Sequence, residues 1–254
     1  MLGLQDPLYV ALLFGGGVFA GFVNTIAGAG SALTLPLLML TGMDAGVANA
    51  TNRVGVVFQS GSATVTFHRK GVRPWRSAAT AVGSSLLGAA GGALLATRIA
   101  PPALERLFGV VFIFLALVMA LRPRWLVPPL TTGGPHPPGP GGHLALLAVG
   151  FYGGLFQAGV GIPMALVLVR ALGVDLVAAN AVKVAVVCVY TTLAVAIFAW
   201  AGQVAWAAGG VLAAGGLIGS AVGAHAAVVK GAPLVRKVIV AMLVAAAAKA
   251  LWPA

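Results

Sequence analysis

No charged side chain occurs between Asp6 and Asp44, between Arg124 and Arg170, or between Lys183 and Lys230. Each interval exceeds the roughly 20 predominantly apolar residues that a helix needs to cross a bilayer. Runs this long and this numerous cannot all be buried helices of one soluble core. The chain is therefore read as an all-α polytopic membrane protein. Only 7% of the 254 residues are charged and 60% are hydrophobic, whereas an ordinary soluble domain carries about 25% charged residues. The 36 glycines suit helices that approach closely in lipid, where small residues let backbones meet.

A formal charge of +11 would suggest a nucleic-acid partner in a soluble protein. Here the cations flank apolar segments: Arg69, Lys70, Arg73 and Arg76 bracket one connection, and Lys230, Arg236 and Lys237 another. They read as topology signals. The single cysteine, Cys188, lies in an apolar run, which excludes disulfides and thiolate metal sites. No GxSxG, HExxH, phosphate-binding or dinucleotide-binding motif occurs, so neither an enzyme, a metal nor a cofactor is expected. The start, MLGLQDP, has no basic region of the kind that opens a signal peptide, and the run from Leu8 is taken as the first spanning element. Trp75, Trp125, Trp200, Trp206 and Trp252 fall near segment ends, where an aromatic belt would place them.

The segment RPRWLVPPLTTGGPHPPGPGG, Arg122 to Gly142, cannot continue a helix. It divides the chain into a first membrane repeat, 1–121, and a second, 143–254. The halves match at an offset of 131: Gly42 falls on Gly173, Asp44 on Asp175, and Ala48-Asn49-Ala50 on Ala179-Asn180-Ala181. Gly28 and Gly30 fall on Gly159 and Gly161, Gly71 on Gly202, Trp75 on Trp206, Gly88 and Gly92 on Gly219 and Gly223, and Pro102 on Pro233. Asp, Asn, Trp and Pro are scarce here, and their joint register indicates duplication.

Long helices are expected at about 46–67, 76–97 and 104–121, and at 177–198, 206–228 and 235–251. Stretches 8–41 and 143–172 remain, each interrupted by Gly-x-Gly. If each crosses once, the repeats are parallel and the basic residues distribute nearly evenly. If each enters and returns, the repeats are inverted. Residues 69, 70, 73, 76, 122, 124, 170, 230, 236 and 237 are then cytoplasmic, and only Arg98, Arg106 and Lys249 lie outside. The positive-inside rule favours the inverted arrangement, with a cytoplasmic linker and about eight to ten helical elements. Some 30 to 34 residues give about 45 to 50 Å of helix, too little for two perpendicular crossings of a roughly 30 Å layer. The expected solution is short or broken helices meeting at the glycines, where backbone is shielded from lipid or faces a cavity.

Polar residues cluster at the same places. Asn24 precedes Gly28 and Gly30, and Gln157 precedes Gly159 and Gly161. With a two-residue gap, Asn24 and Gln157 are expected at related positions. Asn49, Asn52 and Arg53 open one helix, and Asn180 and Lys183 open its mate. They have two readings. One is helix capping with snorkelling cations. The other is an anion site in which helix N-termini and glycine backbone donate N–H groups while Arg53 and Lys183 attract. The four acidic residues, Asp6, Asp44, Glu105 and Asp175, all lie at expected ends or connections, so no buried carboxylate relay is visible. His225 reads as a packing residue, and a coupling ion stays open.

The runs FAGFVNTIAGAGSALTLPLLMLTGMDAGVANATNRV from Phe19, HRKG from His68, and GFYGGLFQAGVGIPMALVLVRALGVDLVAANAVKV from Gly150 together resemble the TauE/SafE family, described as sulfite exporters and membrane transporters. The family's GxGGG-like run is altered in both halves, to Gly28-Ala29-Gly30-Ser31 and Gly159-Val160-Gly161-Ile162. The resemblance implies movement of sulfite or another organosulfur or small organic anion across a bacterial cytoplasmic membrane. A small anion and the lipid bilayer are the expected partners, with no nucleic acid; a coupling ion and a homo-oligomer stay open. An anion channel and a non-transporting assembly protein are the competing readings.

Overall fold

A computed structural model describes residues 6–73, 75–121 and 135–251. Most of the expected linker, residues 122–134, lies outside them, as do Arg122, Arg124, Trp125 and Trp252. The described residues form nine helices and no strand: α1 (Pro7–Ile26), α2 (Ser31–Leu40), α3 (Ala45–Arg69), α4 (Trp75–Arg98), α5 (Pro101–Leu121), α6 (Pro140–Leu155), α7 (Gly161–Leu172), α8 (Leu176–Trp200) and α9 (Trp206–Leu251). By length and apolar character four segments are able to cross a membrane: Pro7–Ile26, Ala78–Arg98, Leu176–Trp200 and Trp206–Val235. Helices α2 and α7 are shorter and apolar.

Local chemistry sets the ends. Asp6, Asp44 and Asp175 each accept backbone N–H bonds in the first turn of the helix they precede, the usual work of an acidic N-cap. The duplicated glycine pairs 28 and 159, 42 and 173, and 71 and 202 all have positive φ, a region that L side chains disfavour. The expected helices 206–228 and 235–251 form one run, broken at Gly231 (φ 65°, ψ −165°). That break stands where the α4–α5 junction stands in the first half, since Pro233 corresponds to Pro102.

Both Gly-x-Gly stretches interrupt helix, as expected. Gly28 (φ 79°) and Gly159 (φ 68°) leave the helical region. Gly30, with helical angles, caps α2, and Gly161 is the first residue of α7. Of the short or broken helices expected at the glycines, α1 is a full-length helix that ends at the break. Its 20 residues span about 30 Å, and only α2, with 10 residues, is short. Residues 25–31 and 155–162 are buried throughout, which satisfies the rule that irregular backbone in a membrane is shielded.

The halves interlock. Helix α1 lies along α9 and α6 along α4, while α3 packs on α8 at the centre and also on α9, as α8 does on α4. Glycines make these contacts. A Cβ on Gly88 or Gly92 would strike the backbone of Leu147 or Phe151, and a Cβ on Gly219 or Gly223 that of Val18 or Phe22. These equivalent contacts reveal a slip in register. The first helices of the two halves superpose at an offset of 129, two short of the 131 that holds after the breaks.

Candidate functional site

The C-termini of α1 and α6 point at the helix pair α3–α8, and each last turn is met by an amide and a cation. Arg53, fully buried, donates from Nη1 to the Gly153 carbonyl (2.9 Å) and from Nη2 to the Gly154 carbonyl (2.6 Å). Asn49 Nδ2 donates to the Leu155 carbonyl at 3.0 Å. In the other half, Lys183 Nζ donates to the carbonyls of Asn24 (3.2 Å) and Thr25 (3.0 Å), and Asn180 Nδ2 to that of Ile26 (3.2 Å). Each cation also binds its own asparagine, Arg53 with Asn49 Oδ1 and Lys183 with Asn180 Oδ1. Carbonyls 24, 25 and 26 are thus treated as carbonyls 153, 154 and 155 are, at the same offset of 129.

The last carbonyls of a helix lack intrahelical partners and carry partial negative charge, so a donor and a cation stabilise them. The capping reading of Asn49, Asn180, Arg53 and Lys183 therefore describes real bonds, although these residues cap the C-termini of other helices rather than their own N-termini. Two pairings expected from sequence are corrected. Asn24 sits in the last turn of α1 and corresponds to Gly153, not to Gln157, because the slip in register precedes the break. Gln157 lies inside the break at φ 59°. Lys183 falls on Asn52 at the offset of 131, so Arg53 does the equivalent work from one residue further along, and Val184 occupies its counterpart position. Asn52 instead accepts from Thr34 through Oδ1, and its buried Nδ2 has no partner.

The two breaks cross. Gly161 N–H donates to the Gly28 carbonyl at 3.1 Å, and a Cβ on either glycine would collide with the backbone of the other. Beside the crossing is a cavity of about 10 Å³ bordered by Asn24, Gln59, Gln157, Gly161, Lys183 and Val184, among others. That is room for about one water. Asn24 Nδ2 donates to Gln59 Oε1 at 3.3 Å. Gln157 Oε1 accepts from Arg53 at 3.1 Å, so any bond it makes elsewhere is through its amide hydrogens. Of the expected residues, Asn24, Gln157, Gly161 and Lys183 border this space, and Gly28 adjoins it through Gly161. Asn49, Asn180 and Arg53 support it by bonding the helix ends, while Asn52, Gly30 and Gly159 are not among its lining.

Sequence reasoning missed Gln59 and Ser60, which line the cavity from α3. Their signal was an amide two turns beyond Asn52, continuing the run of polar residues Asn49, Asn52 and Arg53 along the same helix. Neither Arg53 nor Lys183 meets a carboxylate: Asp6, Asp44 and Asp175 are at helix caps, and Glu105 is exposed. Arg53 instead has the Phe198 ring 4.9 Å from its guanidinium carbon, a cation–π contact. Among the described residues no cluster of His, Cys, Asp or Glu could hold a metal.

Nine helices among the described residues, four of them long and apolar enough to cross a membrane, with two buried breaks crossing beside a small amide-lined cavity, define a helical membrane protein. The sequence profile of the sulfite exporter TauE/SafE family matches residues 13–250, and the chain belongs to that family. It is 31% identical to the "Probable membrane transporter protein YfcA" of Escherichia coli strain K12, with 99% of this chain and 93% of that protein covered. It is 28% identical to the "Probable membrane transporter protein ORF9" of Sinorhizobium sp., covering 98% and 95%. A "Probable membrane transporter protein" of Haemophilus influenzae is 29% identical, covering 92% and 91%. No solved structure matches.

Proposed function

We propose that this chain is a multi-pass secondary transporter of the bacterial cytoplasmic membrane that moves a small anion, sulfite or another organosulfur or organic anion, by alternating access. The observation that carries this reading is a buried pair of cations without carboxylates beside a cavity bordered by three amides. A buried charge is costly without compensation. Backbone carbonyls supply part of it, and an anion would supply the remainder while accepting from the amides of Gln59 and Gln157. The family's description as sulfite exporters and the relatives' printed names support transport rather than catalysis.

A cavity that admits about one water is closed to sulfite. In this reading the halves part to load the anion. The ten-to-three distribution of basic residues supports inverted repeats with the linker 122–142 in the cytoplasm. The assay is uptake of sulfite and a panel of organosulfonates into proteoliposomes, with counterflow measured from preloaded vesicles. A carrier saturates and shows counterflow. Linear, unsaturated flux without counterflow indicates a channel, and no flux of any tested anion refutes the proposal.

A further inference from the structure

The two halves place different residues around the equivalent points of the core. On the Lys183 side the cavity is bordered by Gln59, Ser60 and Val184. At an offset of 131 their counterparts are Tyr190, Thr191 and Arg53. Val184 is short and leaves space, whereas Arg53 fills the equivalent place with a guanidinium already bound to the carbonyls of Gly153 and Gly154, to Asn49 and to Gln157. Tyr190 is 1% exposed, and a Cβ on Gly153 would lie 2.7 Å from its hydroxyl oxygen. The ring thus occupies the volume that stays open beside Gln59.

From this we infer that the duplicated site has become asymmetric: one anion binds per chain, on the Lys183 side with Gln59 as a ligand-contacting residue, while Arg53 and Tyr190 close the sister site. Arg53 acts there as a positioning residue. By holding Gln157 Oε1, it fixes the orientation of the Gln157 amide at the cavity wall. The identity of the ligand as an anion rests on the proposed function, but the asymmetry of access does not.

The test separates the two. S60C and T191C place a thiol at equivalent positions of α3 and α8, each in a Cys188→Ala background. Purified protein in proteoliposomes is treated with an anionic methanethiosulfonate reagent, and the modification rate is read by mass spectrometry. S60C is expected to react at least tenfold faster than T191C, and adding Tyr190→Gln to T191C should raise its rate at least tenfold. Methanesulfonate, which does not attack the reagent, should slow S60C modification saturably. Equal rates at the two positions, including no reaction at either, overturn the asymmetry. Faster reaction at S60C that no anion of the panel slows leaves the asymmetry standing and removes the anion.

Discussion

The crossing of the two breaks can be tested by adding one carbon atom at a time. Gly28 has two reasons to be glycine: a φ of 79° and a Cβ position occupied by the backbone of Gly161. Gly161 has only the second, against Gly28, and Gly202 (φ 69°, nothing within 4 Å) only a left-handed conformation. Gly210, helical with nothing within 4 Å, has neither. Alanine in the left-handed region costs about 1–2 kcal/mol, and overpacking costs about 1–3 kcal/mol. A helix-interior Gly→Ala change stabilises by about 0.5–1 kcal/mol. Gly28→Ala should therefore destabilise by about 2–5 kcal/mol, the sum of both terms. Gly161→Ala should cost about 1–3 kcal/mol, Gly202→Ala about 1–2 kcal/mol, and Gly210→Ala should gain slightly. The assay is reversible unfolding of detergent-purified variants in SDS mixtures, with thermal unfolding followed by size exclusion as a second readout. If Gly28→Ala is no worse than Gly202→Ala, and Gly161→Ala no worse than Gly210→Ala, the two breaks do not touch and the site as described does not exist.

The other expectations follow from the same geometry. Asn49→Ala and Asn180→Ala each leave a buried carbonyl without its donor and should lower stability by about 1–3 kcal/mol, by the same unfolding assay. Equal stability to wild type in both would deny the caps. Arg53→Lys keeps the charge but cannot reach four acceptors with one ammonium. It should lower the melting temperature more than Lys183→Arg does, and a neutral Arg53→Lys would show that the guanidinium fork is unused. Lys183→Met should weaken stabilisation of the purified protein by sulfite at least tenfold, and unchanged stabilisation would remove the cation from the site. Cysteines introduced at Gly139 and at Gln203 should label from opposite faces of intact cells, and labelling from one face would exclude inverted repeats.

Much of the architecture was legible in one dimension because its causes are local. Charge-free runs, acidic residues at segment ends and paired glycines each act within a turn or two of their own position. They placed α3, α4, α5 and α8 to within three residues of their ends and located both breaks. The duplication, read at 131, also carried the equivalence of Asn49 with Asn180 and of the three left-handed glycine pairs. What the sequence could not fix was partnership. The bonds from Arg53 to Gly153 and Gly154, and from Lys183 to Asn24 and Thr25, join residues 100 or more positions apart. No local periodicity encodes such a distance. The slip from 131 to 129, and with it the pairing of Asn24 with Gly153 rather than Gln157, emerged only when both helix ends could be seen against their caps. Gln59 and Tyr190 could be told apart only by the volume around them, because an amide and a phenol at equivalent positions leave different space in the packed core.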